Sequence, residues 1–307
     1  MGFIRFTYKN ILINLLVISL YLAWMSVVDY VKPDHVFLVT IWLFVFYATK
    51  KSRQFILGFS VFIVFWIVYD SMRIIPNYEV STVHIQEPYE LEKLLFGITY
   101  HENLVTLNEY FLNVNNAVLD FLSGFFYLNW MPVPIGFGVY LFYSDKALFL
   151  KYSFAFLLVN LIGFTIYYLY PAAPPWYVQN YGFDLQYGIL GNRAGLERFD
   201  NLIGVSIFES IYNKNANVLA AIPSLHSAYP IIVLYYAFKK GIKKSVKALF
   251  VLFLFGIWFS AIYSSHHYVV DVLAGITTAI VSLIIFEYLI KMDFIKHKLN
   301  GFLKVIH

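Results

Sequence analysis

The chain has 307 residues, of which 60% are hydrophobic and only 13% charged, with a net charge of +4 and a mean hydropathy of +0.68. So little charge cannot cover the surface of a soluble domain of this size, and the composition is that of an integral membrane protein. No basic stripe interleaved with aromatics accompanies the small positive charge, which excludes a nucleic-acid partner. Cysteine is absent, which excludes disulfides and thiolate metal sites.

Arg5 and Lys9 precede an apolar run that continues through Trp24 to Val31. No small-residue cleavage site interrupts it, so it reads as a retained first span rather than a removed signal. Apolar stretches of membrane-spanning length fall at about 11–30, 35–49, 55–71, 126–143, 148–170, 224–238, 246–263 and 269–290. The fold class is therefore all-α, a polytopic membrane bundle of about eight spans. A segment at 72–125 holds most of the glutamates, from Glu79 to Glu109, mixed with Leu94, Leu95, Phe96, Phe121 and Leu122, a pattern of interfacial helices. A long polar loop, 171–222, joins spans five and six. The divisions are 1–75, N-terminal spans; 76–125, an interfacial segment; 126–290, a catalytic core; and 291–307, a basic tail.

Basic residues set the orientation. Lys50, Lys51 and Arg53 follow span two, Lys146 and Lys151 span four, Lys239, Lys240, Lys243 and Lys244 span six, and Lys291, Lys296, Lys298 and Lys304 span eight. With eight spans all share a side with Arg5 and Lys9, which the positive-inside rule makes cytoplasmic. The acidic segment and the 171–222 loop then lie on the outer face, periplasmic or lumenal.

Two segments on that face place histidines beside apolar runs, where an ionisable group is costly and marks function. The first is Pro223-Ser224-Leu225-His226-Ser227. Proline suits the first turn of a helix, whose free N–H groups at Ser224, Leu225 and His226, flanked by Ser227, form a phosphate site; the bland reading is N-capping by Ser224. The second is His266-His267-Tyr268-Val269-Val270-Asp271. Four residues separate His267 from Asp271, one turn of a shared helix face, and a carboxylate on one imidazole nitrogen leaves the other more basic. His267 is then the nucleophile of a two-step phosphoryl transfer, with His226 as acid and then base. His266 points about 100° away on a helix and is less well placed. The bland alternative is interfacial histidines with an N-capping aspartate.

P-S-x-H followed by S-x6-H-x3-D-V-L-A-G, the latter from Ser260 to Gly275, resembles the type 2 phosphatidic acid phosphatase superfamily. The resemblance implies a six-helix catalytic core and gives the same roles to His226, His267 and Asp271. Two departures stand out: Ala261 replaces the arginine that usually follows the serine, and the K-x6-R-P motif is missing before span six. In its place stand Tyr170-Pro171-Ala172-Ala173-Pro174-Pro175-Trp176-Tyr177 and Ala194-Gly195-Leu196-Glu197-Arg198-Phe199-Asp200, which are similar to motifs of the inositol phosphorylceramide synthase branch.

The prolines end span five in a rigid extended hinge, and Trp176 and Tyr177 are expected at the interface or stacked on a polyol ring. Arg198 is the substitute for the lost phosphate-binding cations, with Arg193 a second candidate; a local pair of Arg198 with Asp200 or Glu197 is the competing account. Away from the site, Glu287 is expected to pair with Lys291 or snorkel, Asp70 with Arg73, and Asn160 to hydrogen-bond between helices.

The resemblance implies transfer of inositol phosphate from phosphatidylinositol to a ceramide or dihydroceramide, releasing diacylglycerol, through a phosphohistidine and without a cofactor or metal. A lipid phosphatase using water is the alternative, disfavoured by the missing cations, and a non-enzymatic lipid-binding protein is the third reading. The sequence leaves the oligomeric state open.

Overall fold

The computed structural model describes residues 6–28, 30–213 and 217–307; Arg5, part of the orientation argument, lies outside them. Three helices open the chain, α1 (Tyr8–Val28), α2 (Pro33–Ala48) and α3 (Lys50–Ser71). The acidic segment folds into α4 (Gln86–Phe96), a two-stranded hairpin, β1 (Ile98–Tyr100) and β2 (Asn103–Val105), and α5 (Leu107–Asn113). Next come α6 (Ala117–Leu128), α7 (Pro132–Ser144) and α8 (Lys146–Leu169). The 171–222 loop is not free polar chain but carries α9 (Pro175–Tyr181), α10 (Glu197–Ile203) and α11 (Ile207–Tyr212). The core closes with α12 (Leu225–Lys240), α13 (Lys244–Tyr263) and α14 (Val269–Leu289), and the basic tail forms α15 (Asp293–Ile306).

Among the described residues α1, α3, α8, α13 and α14 are long and apolar enough to cross a membrane. The pair α6–α7, bent by 41°, makes a sixth candidate. The predicted fourth span thus starts earlier, at Ala117, and breaks where Asn129 to Met131 separate the helices and Pro132 opens the second. Helices α2 and α12 have 16 residues each, about 24 Å against a hydrocarbon core of ~30 Å. The count of eight holds only with these two short helices included.

Side-chain contacts fix how the helices run. At one end Lys239 pairs with Glu287 at 2.5 Å, Lys240 with Asp145 at 3.4 Å, and Lys146 donates to the Ile306 carbonyl at 2.6 Å. Glu287 therefore reaches across to α12 and not to Lys291, as its sequence spacing suggested. At the other end the Tyr167 hydroxyl donates to the Pro223 carbonyl and the Ser224 N–H to the Asp271 carbonyl, both at 3.0 Å. So α12 and α14 run parallel, with their starts side by side and His226 and His267 beside them, while α8 and α13 run back between the two ends. In the middle the Tyr229 hydroxyl donates to Asn160 at 2.6 Å, the interhelical bond expected of that asparagine. Asp70 and Arg73 pair at 2.8 Å, also as expected. Aromatic packing fills the centre, with Phe149, Phe156, Tyr152 and Tyr236 fully enclosed. On α4, Leu91, Leu94 and Leu95 are exposed while Glu92 is buried, an apolar outer face that suits an interfacial helix.

Candidate active site

His226 occupies the first turn of α12, and its Nδ1 lies 3.3 Å from the Nε2 of His267. His267 does not sit on α14, as the four-residue spacing suggested; the helix begins at Val269, with Tyr268 as its N-cap. His267 lies instead in the turn before it, where Nδ1 faces the Asp271 carboxylate at 3.5 Å. That is longer than a good hydrogen bond. One Asp271 oxygen accepts the Tyr268 N–H at 2.8 Å, the reach-back of a capping box, so the capping and imidazole-facing roles coexist in one carboxylate. His267 and Asp271 are buried and His226 is half-buried. Burial drives the His267 imidazole down to about 4, outweighing an opposing bond to the Ala221 backbone. Burial thus makes this imidazole less basic than usual, where sequence reasoning put a more basic one.

The turn carrying the histidines is held from several directions. The Ala261 carbonyl accepts both the His266 and His267 N–H groups, at 3.1 and 2.9 Å. Buried Asn108 of α5 donates to the carbonyls of Ile262 and His267, at 2.8 and 2.9 Å. The Ser265 carbonyl accepts the Trp176 N–H and the Ser264 carbonyl accepts the Gly195 N–H, both at 3.0 Å. Ala261 itself is fully enclosed with Tyr127, Leu196 and Phe199, so the arginine common at that position has no room here. Gly275 is the close-approach point between α14 and α12: a Cβ there would collide with the Ser224 carbonyl.

The remaining candidates fall into distinct places. Ser224 and Ser227 are fully buried, with the Ser227 hydroxyl donating to that of Ser224 at 3.0 Å. The Ser224 N–H, expected to be free, is taken by Asp271, so the first turn of α12 offers fewer donors than the sequence suggested. Trp176 and Tyr177 are buried against Ile85, Ala173 and Leu219 rather than presented at an interface. The hinge expected at 171–175 is extended backbone, with Ala172 bridging His84 and Ala220. His266 is stacked between Tyr127 and Tyr212, at ring distances of 5.4 and 4.4 Å, and its Nε2 donates to the Arg193 carbonyl at 3.1 Å. Arg193 is the locally paired arginine, reaching Glu197 at 2.9 Å, Asp200 at 3.3 Å and Glu209 at 3.4 Å. Arg198 pairs with neither Asp200 nor Glu197. Its Nε donates to Asp120 of α6 at 2.6 Å, and its guanidinium lies 4.9 Å from the Tyr263 ring centre.

Besides Asn108 and Asp120, Tyr127 and Glu92 went unnoticed in the sequence. The Tyr127 hydroxyl lies 3.3 Å from His226 Nδ1, but nothing marks this tyrosine among 26. Glu92 is fully buried, and its Oε2 accepts the Val270 N–H at 3.1 Å, in the first turn of α14. Burial, reinforced by nearby Asp271 and opposed by the N–H groups of Val270 and Val269, pushes its carboxyl up to about 6. Glu92→Ala is expected to cost about 1–2 kcal/mol of stability, as loss of a helix cap does, and to lower kcat roughly tenfold with KM nearly unchanged. Glu92→Gln, which keeps an acceptor, should recover most of both; thermal unfolding and steady-state kinetics on the two variants check this.

A helical membrane bundle that brings two histidines and an aspartate together at the starts of two parallel helices defines a class, and comparison with known proteins agrees with it. The family model described as the PAP2 superfamily matches residues 98–285, and the chain belongs to that superfamily. It is 44% identical over 281 residues to the phosphoinositol dihydroceramide synthase of Bacteroides thetaiotaomicron, covering 91% of this chain and 92% of that protein. It is 30% identical over 210 residues to the inositol phosphorylceramide synthase of Candida albicans, covering 64% of this chain and 40% of that protein. To the inositol phosphorylceramide synthase catalytic subunit of Saccharomyces cerevisiae it is 34% identical over 134 residues, 42% of this chain and 31% of that one. No solved structure matches the chain.

Proposed function

We propose that this protein is a membrane phosphotransferase that moves inositol phosphate from phosphatidylinositol to the primary hydroxyl of a ceramide or dihydroceramide, releasing diacylglycerol. The observation that carries the reading is the pairing of His267 Nε2 with His226 Nδ1 at 3.3 Å while the other His267 nitrogen faces buried Asp271. His267 attacks the phosphodiester through Nε2, forming a phosphohistidine. His226 gives its proton to the departing diacylglycerol oxygen and then takes one from the acceptor hydroxyl. Phosphorus must enter between two nitrogens that lie 3.3 Å apart. His226, half-buried where His267 is buried, is the more exposed of the two rings and the one assigned to move aside.

The site lies at the end of the bundle opposite Lys146, Lys239, Lys240 and the α15 tail, which supports an outer, periplasmic or lumenal, active face. Labelled phosphatidylinositol supplied to purified protein with and without ceramide tests the function. Transfer yields a labelled ceramide lipid, a phosphatase acting with water yields released headgroup phosphate, and a non-enzymatic lipid-binding protein yields neither.

Arg198 is assigned to the phosphoryl oxygens, with Asp120 orienting its guanidinium through Nε. Removing such a charge-assisted contact costs about 2–4 kcal/mol, or roughly thirty- to a thousandfold in kcat/KM, so Arg198→Ala is expected to fall in that range. Arg198→Lys should recover only part, because a point charge lacks the fork. Asp120→Asn separates positioning from binding: a loss as large as that of Arg198→Ala would make the pair purely structural.

A further inference from the structure

A cavity of about 790 Å³ lies between the N-terminal helices and the α7 face of the core, within the range of ligand pockets. Its shaft is apolar, lined by Phe55, Phe59, Phe62 and Ile63 of α3 and by Ile135 and Val139 of α7. Phe37 and Trp66 line it while remaining 67% and 52% exposed, so it opens sideways through the helix surface instead of closing as an interior void. Its mouth is polar, formed by Lys32, Asp34 and His35 at the start of α2, Asp70 and Arg73 at the end of α3, and Asn213.

The mouth shares the catalytic end of the bundle. Asn213 directly follows Tyr212, whose ring stacks on His266 at 4.4 Å. Just beyond Arg73, the Tyr168 hydroxyl at the end of α8 donates to the Ile75 carbonyl at 2.8 Å. From Asp70 to Phe55 the lining follows α3 for some fifteen residues, about 22 Å at 1.5 Å per residue. That is deeper than the ~15 Å hydrocarbon thickness of one bilayer leaflet, so the shaft suits one long chain.

Charge selects between the two lipids. Lys32 and Arg73 face Asp34 and Asp70 around the mouth; Arg73 is paired with Asp70 at 2.8 Å, and His35 lies 3.6 Å from the same carboxylate. Balanced charge of this kind gives an anionic phosphodiester no net attraction, whereas an uncharged head with hydroxyls and an amide finds both donors and acceptors. We propose that this cavity seats the acceptor, with a hydrocarbon chain of a ceramide-type lipid in the shaft and its amide and hydroxyls at the mouth. The proposal rests on the transferase reading above, and it gives the three N-terminal helices a task.

Photo-crosslinking tests occupancy without turnover. Full-length protein in nanodiscs is treated with a ceramide carrying a diazirine in its acyl chain, or with phosphatidylinositol carrying the same group. The ceramide probe is expected to label peptides of α2 and α3 at least about fivefold more than the phosphatidylinositol probe, and unlabelled ceramide should compete the label away. Equal labelling by both probes, or labelling without competition, would mean donor or ordinary bilayer lipid and overturn the proposal. Ile135→Trp and Ile63→Trp, each narrowing the shaft, should raise KM for long-chain ceramide about tenfold and leave KM for phosphatidylinositol, and turnover of a short-chain acceptor, within about twofold. A uniform loss on short and long acceptors, or no loss on either, would also overturn it. Competed labelling in a protein that makes no ceramide product would sink the transferase reading alone, and transfer without competed labelling the cavity alone.

Discussion

His267→Asn is expected to abolish lipid transfer, with a loss of at least about 10³-fold in kcat, while the protein stays folded and inserted. The expectation follows from the division of labour at the ring: Nε2 is the nitrogen that meets His226, and Nδ1 is the one turned toward Asp271. The adjacent His266 cannot substitute, because it is held between two tyrosine rings with its Nε2 on the Arg193 carbonyl. The backbone of residue 267 keeps its bonds in the variant, since Ala261 and Asn108 hold the main chain and not the ring. Thermal unfolding near the parent value together with no labelled ceramide product is the expected pair of results; more than a few per cent of residual transfer would remove His267 from the role. The same residue sets a pH expectation. Burial places its titration at about 4, below the ordinary 6.5, and only the neutral ring attacks. As pH falls the nucleophile is therefore retained through 6.5 and lost only towards 4, and an acid limb of kcat/KM centred near 6.5 would contradict this.

The membrane bundle was legible because apolar length is a one-dimensional signal, and each of the eight predicted stretches corresponds to helix. What the sequence missed there was geometry. The break between α6 and α7 falls at Asn129 in an otherwise apolar run, and Pro132, the residue that permits it, fits a helix start as readily as an interruption. The acidic segment read as interfacial helices; it does form the helices α4 and α5, but nothing in the sequence showed it as a clamp on the site. That role depends on Asn108 and Glu92, whose partners lie more than a hundred residues away in the chain.

At the site, the motif residues announced themselves as ionisable groups beside apolar runs. Their arrangement did not. A four-residue spacing suggests a helical face, yet His267 falls in the turn and reaches Asp271 across an N-cap. Arg198 illustrates the limit most sharply. Local spacing offered Asp200 and Glu197 as partners, but these and Glu209 are engaged by Arg193, leaving Arg198 to cross to Asp120 on another helix. Trp176 and Tyr177 looked like belt residues because aromatic residues flank most spans. Their burial reflects the folding of the 171–222 loop back over the histidine turn, where the Trp176 N–H binds the Ser265 carbonyl.

His226→Ala is expected to lose about 10²–10⁴-fold in kcat/KM with phosphatidylinositol as donor, the range for removing a positioned general acid. With a nitrophenyl phosphodiester the first step should lose roughly tenfold or less, because that leaving group departs as a stable anion without a proton. His226 is suited to the task by its position: Nδ1 touches the nucleophile at 3.3 Å and the Tyr127 hydroxyl at 3.3 Å, and the Trp130 ring meets its own edge-on at 4.7 Å. A group at that point is close enough to follow an oxygen leaving phosphorus opposite His267. The same ring then faces the acceptor hydroxyl in the second step, as microscopic reversibility requires of a transfer between two alcohols. Burst measurements on the activated donor therefore separate the two half-reactions: His226→Ala should still form phosphohistidine rapidly but pass it slowly to ceramide. Equal losses on natural and activated donors, with no accumulated intermediate, would reduce His226 to a residue that merely positions the substrate.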